Sequence, residues 1–306
     1  MSDYTVVYFK AFSRGFSIPS TLADFQIGKM SFEIKWYGVF IAIGYLLALF
    51  FCTRLAKKAK INVDALYDVI IFGTIGGIVG ARAYYVLFNL DYYLANPSSI
   101  LAINEGGLAI YGGIIGALLV GLIVCKIKKL KVLDVFDLAS VGFFIGQGVG
   151  RWGNFTNQEA FGCNTDLPWG MLSSKTSAYI AGNQDFFEAH NMLVTPYDFV
   201  HPTFLYESIW CIIGFILLYF MFKNFRHFRG QVFLSYGVWY GIERGIIEGL
   251  RTDSLYIAGS NIRISHVLSI ALAVICLVLL VIGLIRNKDT LKEEEINEQE
   301  EGTEEG

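Results

Sequence analysis

The chain has 306 residues, 54% of them hydrophobic and 17% charged, with a mean hydropathy of +0.50. That balance is too apolar for an ordinary soluble domain, and repeated apolar runs of about 20 residues match a polytopic helical membrane protein. The formal net charge of −3 hides two parts: residues 288–306 hold 9 acids and 2 lysines, leaving 22 basic and 18 acidic residues before them. Neither part has the concentrated basic footprint of a nucleic-acid binder.

No apolar core followed by a small-residue cleavage site occurs in residues 1–34, so no removable signal peptide is expected. The first expected span runs from about Trp36 to Phe51, with Lys35 before it and Arg54, Lys57, Lys58 and Lys60 after it. A second covers about Leu66 to Leu87 and contains Gly73, Gly76, Gly77 and Gly80, a small-residue spacing suited to tight helix contact. Asn89 to Glu105 has no Lys or Arg. The third span covers about Gly106 to Cys125, followed by Lys126, Lys128, Lys129 and Lys131. The fourth, about Val132 to Gly150, leads into RWGNFTNQEAFG. Residues 152–200 are polar and aromatic and read as a folded extramembrane region. The fifth span is about Pro202 to Phe222, with Lys223, Arg226 and Arg229 behind it. The sixth is about Gln231 to Leu250, and the seventh about Ile264 to Ile285, followed by Arg286, Lys288 and Lys292.

The basic clusters follow spans one, three, five and seven, and the alternate connections are poor in them. The positive-inside rule then puts the N-terminus outside and the C-terminus in the cytoplasm. The expected architecture is an all-α polytopic membrane protein of about seven transmembrane helices. A membrane domain covers 1–287, with an outer-face region at about 152–200; an acidic, disordered cytoplasmic tail covers 288–306. Of the 5 cysteines, Cys52, Cys125, Cys211 and Cys276 lie in or beside apolar runs, and only Cys163 falls in a polar stretch. No disulfide framework is implied.

Chemistry concentrates where span four ends. Gln147, Arg151, Asn154, Asn157 and Glu159 follow one another there, and Gly146, Gly148, Gly150 and Gly153 leave little bulk around Arg151. A charge at that depth usually meets a partner, a substrate or water. Arg151 either binds an anion or snorkels to the interface. Tyr240, Arg244, Glu248 and Arg251 form a second polar group at helical spacing, with an Arg244–Glu248 pair as the plain alternative. His201 opens span five ahead of Pro202, with Glu207 further on, and reads equally as a cap. Tyr37 and Tyr111 fit interfacial aromatics, and Arg82 sits near an outer span end where it could snorkel. Neither a P-loop, a GxSxG elbow, an HExxH nor a clustered metal site occurs. Arginines, carboxylates and amides near one leaflet fit a phosphate head group, for which guanidinium is a permanently charged fork.

GRWGNFTNQEAFG at 150–162 resembles the signature of the bacterial prolipoprotein diacylglyceryl transferases. WYG at 36–38, GARAYYVLF at 80–88, EGGLAIYGGIIG at 105–116, HPTFLYES at 201–208 and YGIERGIIEGLR at 240–251 are similar to that family's other blocks, in its order. The resemblance implies transfer of a diacylglyceryl group from phosphatidylglycerol to the lipobox cysteine of a prolipoprotein signal peptide. The product would be a thioether and the leaving group glycerol phosphate, with no cofactor and no metal. It also implies a multi-pass protein of a bacterial plasma membrane whose site faces outward. Arg151 and Arg244 match the phosphatidylglycerol-binding arginines; Asn154, Glu159, Gly162 and Tyr37 match other functional positions; Asn157, His201, Glu207, Glu248, Arg251 and Arg82 fall in the same blocks as supporting residues. Tyr111 stands where many members have a histidine proposed as base, so the base stays open among Tyr111, Glu159 and water. The main alternatives are a carrier for anionic lipids, for which no internal repeat is evident, and an intramembrane protease using Ser140 and His266, which lack a nucleophile motif.

Overall fold

A computed structural model describes residues 4–12, 14–27, 30–102, 106–192, 194–253, 256 and 263–286. The acidic stretch 288–306, expected as a disordered tail, lies outside the described residues, as does Glu105. Four strands open the chain: β1 (Tyr4–Phe9), β2 (Gly15–Pro19), β3 (Thr21–Ile27) and β4 (Met30–Lys35). Helices α1 (Trp36–Lys58), α2 (Val63–Leu87) and the short α3 (Leu90–Ala95) follow, then α4 (Ile110–Ile127) and α5 (Val132–Asn157). Next come β5 (Met171–Ser173), α6 (Ser174–Gly182) and α7 (Gln184–Ala189), and the chain closes with α8 (Thr203–Asn224), α9 (Gln231–Ile247) and α10 (Ile264–Arg286).

Six of these helices, α1, α2, α4, α5, α8 and α10, are long and apolar enough to cross a membrane. The fold is that of a mostly helical, multi-pass membrane protein. At 17 residues α9 is about 25 Å long, at the short limit for a span. The all-α expectation needs correction, because β1, β2 and β5 form one antiparallel sheet and β3 and β4 another. Period-two burial explains the miss: Thr5 and Val7 point inward from β1 while Tyr4, Val6 and Tyr8 do not, a signal too short to stand out beside seven apolar runs. Another correction concerns residue 152. Helix α5 runs on to Asn157, so Arg151, Asn154 and Asn157 all sit on it, and the folded region begins after it.

The chain divides into two compact units: residues 1–52 with 139–306, and residues 53–138. In the second, α2 lies against α4 through glycines. A methyl group on Gly80 would strike the Gly112 carbonyl oxygen, and one on Gly116 would strike that of Gly76. That backbone approach is what the glycine spacing of span two implied.

In the first unit, α1 meets α5 where a methyl on Gly44 would lie 3.0 Å from the Gly146 carbonyl oxygen. Trp210 and Trp239 lock α8 to α9: each indole N–H donates to the other's carbonyl, at 3.2 and 3.1 Å, with the rings 4.7 Å apart. Outside the helices a small apolar core gathers Val7, Phe161, Met171, Ile180, Phe187, Val194, Val200 and Phe204. Strand β1 thus closes this core by pairing Val7 with Ser173.

Candidate functional site

The end of α5 fixes the site. Gln158 and Ala160 adopt left-handed backbone, φ 58° and 54°, which costs about 1–2 kcal/mol each for a residue with a Cβ. Their reversal sends 160–165 between two other segments. Gly162 N–H donates to the His201 carbonyl at 2.9 Å, and Cys163 N–H to that of Leu250 at 2.8 Å. Gly162 also bridges Arg251, and a Cβ there would press on His201 and the Leu250 carbonyl oxygen. Glycine at 162 is therefore a packing requirement that sets where Arg251 stands.

Three arginines converge on one carboxylate. Glu207, in the first turns of α8, is fully buried. Arg151 Nη1 lies 2.9 Å from its Oε2, and Arg244 Nη1 and Arg251 Nη1 each lie 3.4 Å from its Oε1. The Arg151 contact is close but not aligned as a hydrogen bond, so Oε2 remains without an aligned donor. Arg244 Nη2 pairs with Glu248 one turn on, and Ser265 Oγ donates to Glu248. Arg251 makes a two-pronged pair with Asp253, Nε at 2.9 Å and Nη2 at 2.7 Å. Burial opposes the Arg251 charge, but Asp253 outweighs it and holds the cation above its ordinary range.

Helix packing delivers these side chains. Ser208 Oγ donates to the Gly148 carbonyl at 2.8 Å and accepts from Trp152 Nε1 at 3.2 Å, tying α8 to α5 one residue from Glu207. The tryptophan lock places Arg244 of α9 on the same carboxylate. Tyr37, from the first turn of α1, lays its ring where a Cβ on Gly153 would strike it. Asn154 Nδ2 donates to Glu159 Oε1 at 2.9 Å across the end of α5. Arg151 is the most exposed of the three arginines, with 23% of its side chain accessible. Among the described residues its one ion pair is with Glu207. Such a set can trade a carboxylate for an incoming phosphate.

Comparison with known proteins bears on this geometry. The family model for prolipoprotein diacylglyceryl transferase matches residues 24–282. A Finegoldia magna protein named phosphatidylglycerol–prolipoprotein diacylglyceryl transferase is 41% identical over 242 residues, covering 79% of this chain and 88% of its own. The Staphylococcus aureus (strain Newman) protein of that name is 41% identical over 263 residues, covering 86% and 88%.

This chain belongs to the prolipoprotein diacylglyceryl transferase family.

The residues that the family resemblance marks divide by unit. Arg151, Asn154, Asn157, Glu159, Gly162, Tyr37, His201, Glu207, Arg244, Glu248 and Arg251 lie in the first; Asn157 is half-buried. His201 sits apart from the arginines: its Nδ1 is 3.1 Å from the Tyr206 hydroxyl, which also accepts from Trp169 Nε1. Burial lowers the His201 pKa; its reading as a helix cap needs correction, because Pro202 is the N-cap of α8 and no side chain bonds that end. Tyr111 and Arg82 lie in the other unit. Tyr111 is in the first turn of α4 and 66% exposed.

Arg82 is buried rather than snorkelling. Its guanidinium donates to the carbonyls of Ser99, Ile100, Ala102, Gly106 and Gly107 at 2.6–3.3 Å and sits over the Tyr93 ring. Gly106 and Gly107, with φ of 89° and 73°, adopt left-handed backbone as their carbonyls accept from it.

One spacing argument holds only in part. Helix α9 ends at Ile247, so Tyr240 and Arg244 share it and Glu248 caps it, but Arg251 lies beyond and is placed by its bridge to Gly162. Three further residues were not singled out from the sequence. Asp253 follows Arg251 by two, and Ser265 opens α10. Glu243 on α9 is a buried carboxylate whose two oxygens lie 3.7 and 3.8 Å from the Cys211 thiol. Its signal was present, since a carboxylate within an apolar helix is itself informative.

Proposed function

We propose that this chain transfers the diacylglyceryl group of phosphatidylglycerol to a cysteine thiol of a prolipoprotein, with Arg151 and Arg244 holding the phosphate. The convergence of Arg151, Arg244 and Arg251 on the buried Glu207 carries this reading. In the resting site Glu207 is the resident anion. An arriving phosphodiester takes its place on Arg151 and Arg244, while Arg251 keeps both Glu207 and Asp253. The lipobox thiolate then attacks the glyceryl carbon that bears the phosphate oxygen. A carbon–sulfur bond forms, the carbon–oxygen bond breaks, and its electron pair leaves on glycerol phosphate. The thiol proton passes to a base, with Tyr111, Glu159 and water as candidates.

The leaving phosphate gains charge as that bond breaks, and guanidinium donors aimed at it favour the transition state over the bound lipid. The same positive field lowers the pKa of the attacking thiol, which is ordinarily about 8.5. Asn154 and Glu159 stiffen the end of α5, and Tyr37 packs on its Gly153. No step calls for a redox group or a Lewis acid.

The reading includes a topology. All seven apolar segments cross a bacterial plasma membrane, α9 among them, with the N-terminus and the arginine site outside and the C-terminus in the cytoplasm. The Lys and Arg clusters after alternate spans support it. Residues 1–287 act as one transferase domain.

The test uses purified protein, phosphatidylglycerol and a lipobox peptide, following peptide mass and glycerol phosphate release. A diacylglyceryl mass gain that requires the peptide thiol and Arg151 is expected. Lipid binding by folded protein with no peptide modification would overturn the reading in favour of a carrier.

A further inference from the structure

We infer that the β3–β4 hairpin is an interfacial foot whose apolar face seats in the headgroup–acyl boundary of the leaflet at the start of α1. Register sorts its side chains. Ala23 opposes Ile34 and Phe25 opposes Phe32, while Asp24 opposes Glu33 on the alternate positions. With a period of two, the first four fall on one face and the two acids on the other.

The apolar face is open. Phe25 is 43% exposed, Phe32 39% and Ile34 41%, and the two rings stack on each other 5.6 Å apart. A two-stranded hairpin is marginally stable in water by itself, and an uncovered apolar sheet face invites aggregation. Something of low polarity has to cover it.

Continuity with the membrane surface identifies the cover. Strand β4 ends at Lys35 and α1 begins at Trp36, with no residue between them. Helix α1 is of membrane-crossing length and composition, and it exposes Ile41, Ile43, Leu46 and Phe50. Lipid-facing surface therefore runs from the helix directly into the root of the hairpin. Lys35 and Trp36 at that junction are the residue types that mark a membrane–water boundary. A strand of six residues is about 20 Å long, enough to lie along the boundary, where amphipathic elements bury one face about 5–10 Å deep. Asp24 and Glu33 then face water.

Seating the hairpin has a consequence for the site. Trp36 N–H donates to the Ser20 carbonyl at 3.0 Å, clamping the hairpin's base, and the next residue, Tyr37, packs on Gly153 two positions from Arg151. The foot sets the depth at which Tyr37 and Arg151 meet the leaflet that supplies the lipid.

Nitroxide labels test this in the full chain. With the native cysteines replaced, Phe25→Cys, Phe32→Cys, Asp24→Cys and Glu33→Cys are labelled one at a time in phosphatidylglycerol–phosphatidylethanolamine vesicles. Collisions with oxygen, which partitions into lipid, are compared with collisions with a water-soluble nickel chelate. Labels at 25 and 32 are expected to favour oxygen, and those at 24 and 33 nickel. Equal nickel access at all four positions would overturn the proposal. So would shielding at 25 and 32 that arises only on adding a lipobox peptide, because peptide would then be the cover. The readout does not depend on turnover, so it separates failure of the foot from failure of the transferase reading.

Discussion

Arg82 and Arg151 are both arginines at the ends of apolar helices, and they are used in opposite ways. Arg82 spends its donors on five backbone carbonyls and lies under a tyrosine ring, so it has nothing left for a ligand. Arg151 touches one carboxylate that two other arginines share, in a contact not aligned as a hydrogen bond. The first arrangement is a brace for residues 99–102 and 106–107; on the proposed reading the second is a cation open to a ligand. On that reading, what separates the structural arginine from the phosphate-binding one is the identity of its acceptors. Fixed carbonyls cannot be exchanged for a phosphate, whereas a shared carboxylate can.

Glu207 gives the sharpest test of that difference. Glu207→Gln leaves three arginines around a neutral amide, and loss of a buried partner of this kind costs about 3–5 kcal/mol. The melting temperature should fall, and phosphatidylglycerol should restore more of it than it adds to wild type, because phosphate replaces the missing anion. A lipid-induced shift no larger than that of wild type would show that Glu207 is not the anion being exchanged. Arg151→Ala comes next. Removing one preorganised donor costs about 10²–10³ in turnover, with little change in unfolding temperature and a partial return of rate in Arg151→Lys. Arg82→Ala should behave in reverse, losing about 2–3 kcal/mol of stability as buried carbonyls lose their donor. Its remaining folded fraction should turn over normally; a turnover defect in stable Arg82→Ala protein would erase the contrast.

The smallest effect concerns His201. Burial holds its folded pKa below the usual 6.5. Its contribution to stability is therefore present above pH 6.5 and lost as pH falls through the lowered value. Unfolding midpoints measured across that range should flatten on the acid side in His201→Gln. An unchanged slope would remove His201 as the source.

The helices and the chemical blocks were legible because they are local. Apolar runs located every long helix to within a few residues at most ends, and the ordered motifs brought out Arg151, Arg244 and Asn154. The overrun of α5 to Asn157 was hidden by its polar face, which resembles a loop when only hydropathy is counted. Arg251 was assigned to a helical face that ends before it, since the Gly162 bridge that places it acts through tertiary contact. Distant pairing explains only β5, which meets β1 far along the chain; the β1–β2 and β3–β4 hairpins are local, and their short period-two pattern was outweighed by the apolar runs. Nothing local announced that Arg82 and Arg151 would differ, because both stand near glycines and aromatics at a span end.

That late partner imposes an order of assembly. Strand β1 is made first, yet its pairing with Met171–Ser173 must wait while α1, α2, α4 and α5 are synthesised and inserted. Closing so long a loop is slow, and the β1 edge not covered by β2 remains open to wrong partners meanwhile. The apolar core that holds Phe161 beside Gly162 thus closes only after α5 is made, with α8, α9 and α10 still to follow. A defect in β1 would register first as a lower yield of inserted, protease-resistant enzyme, with each surviving molecule still competent.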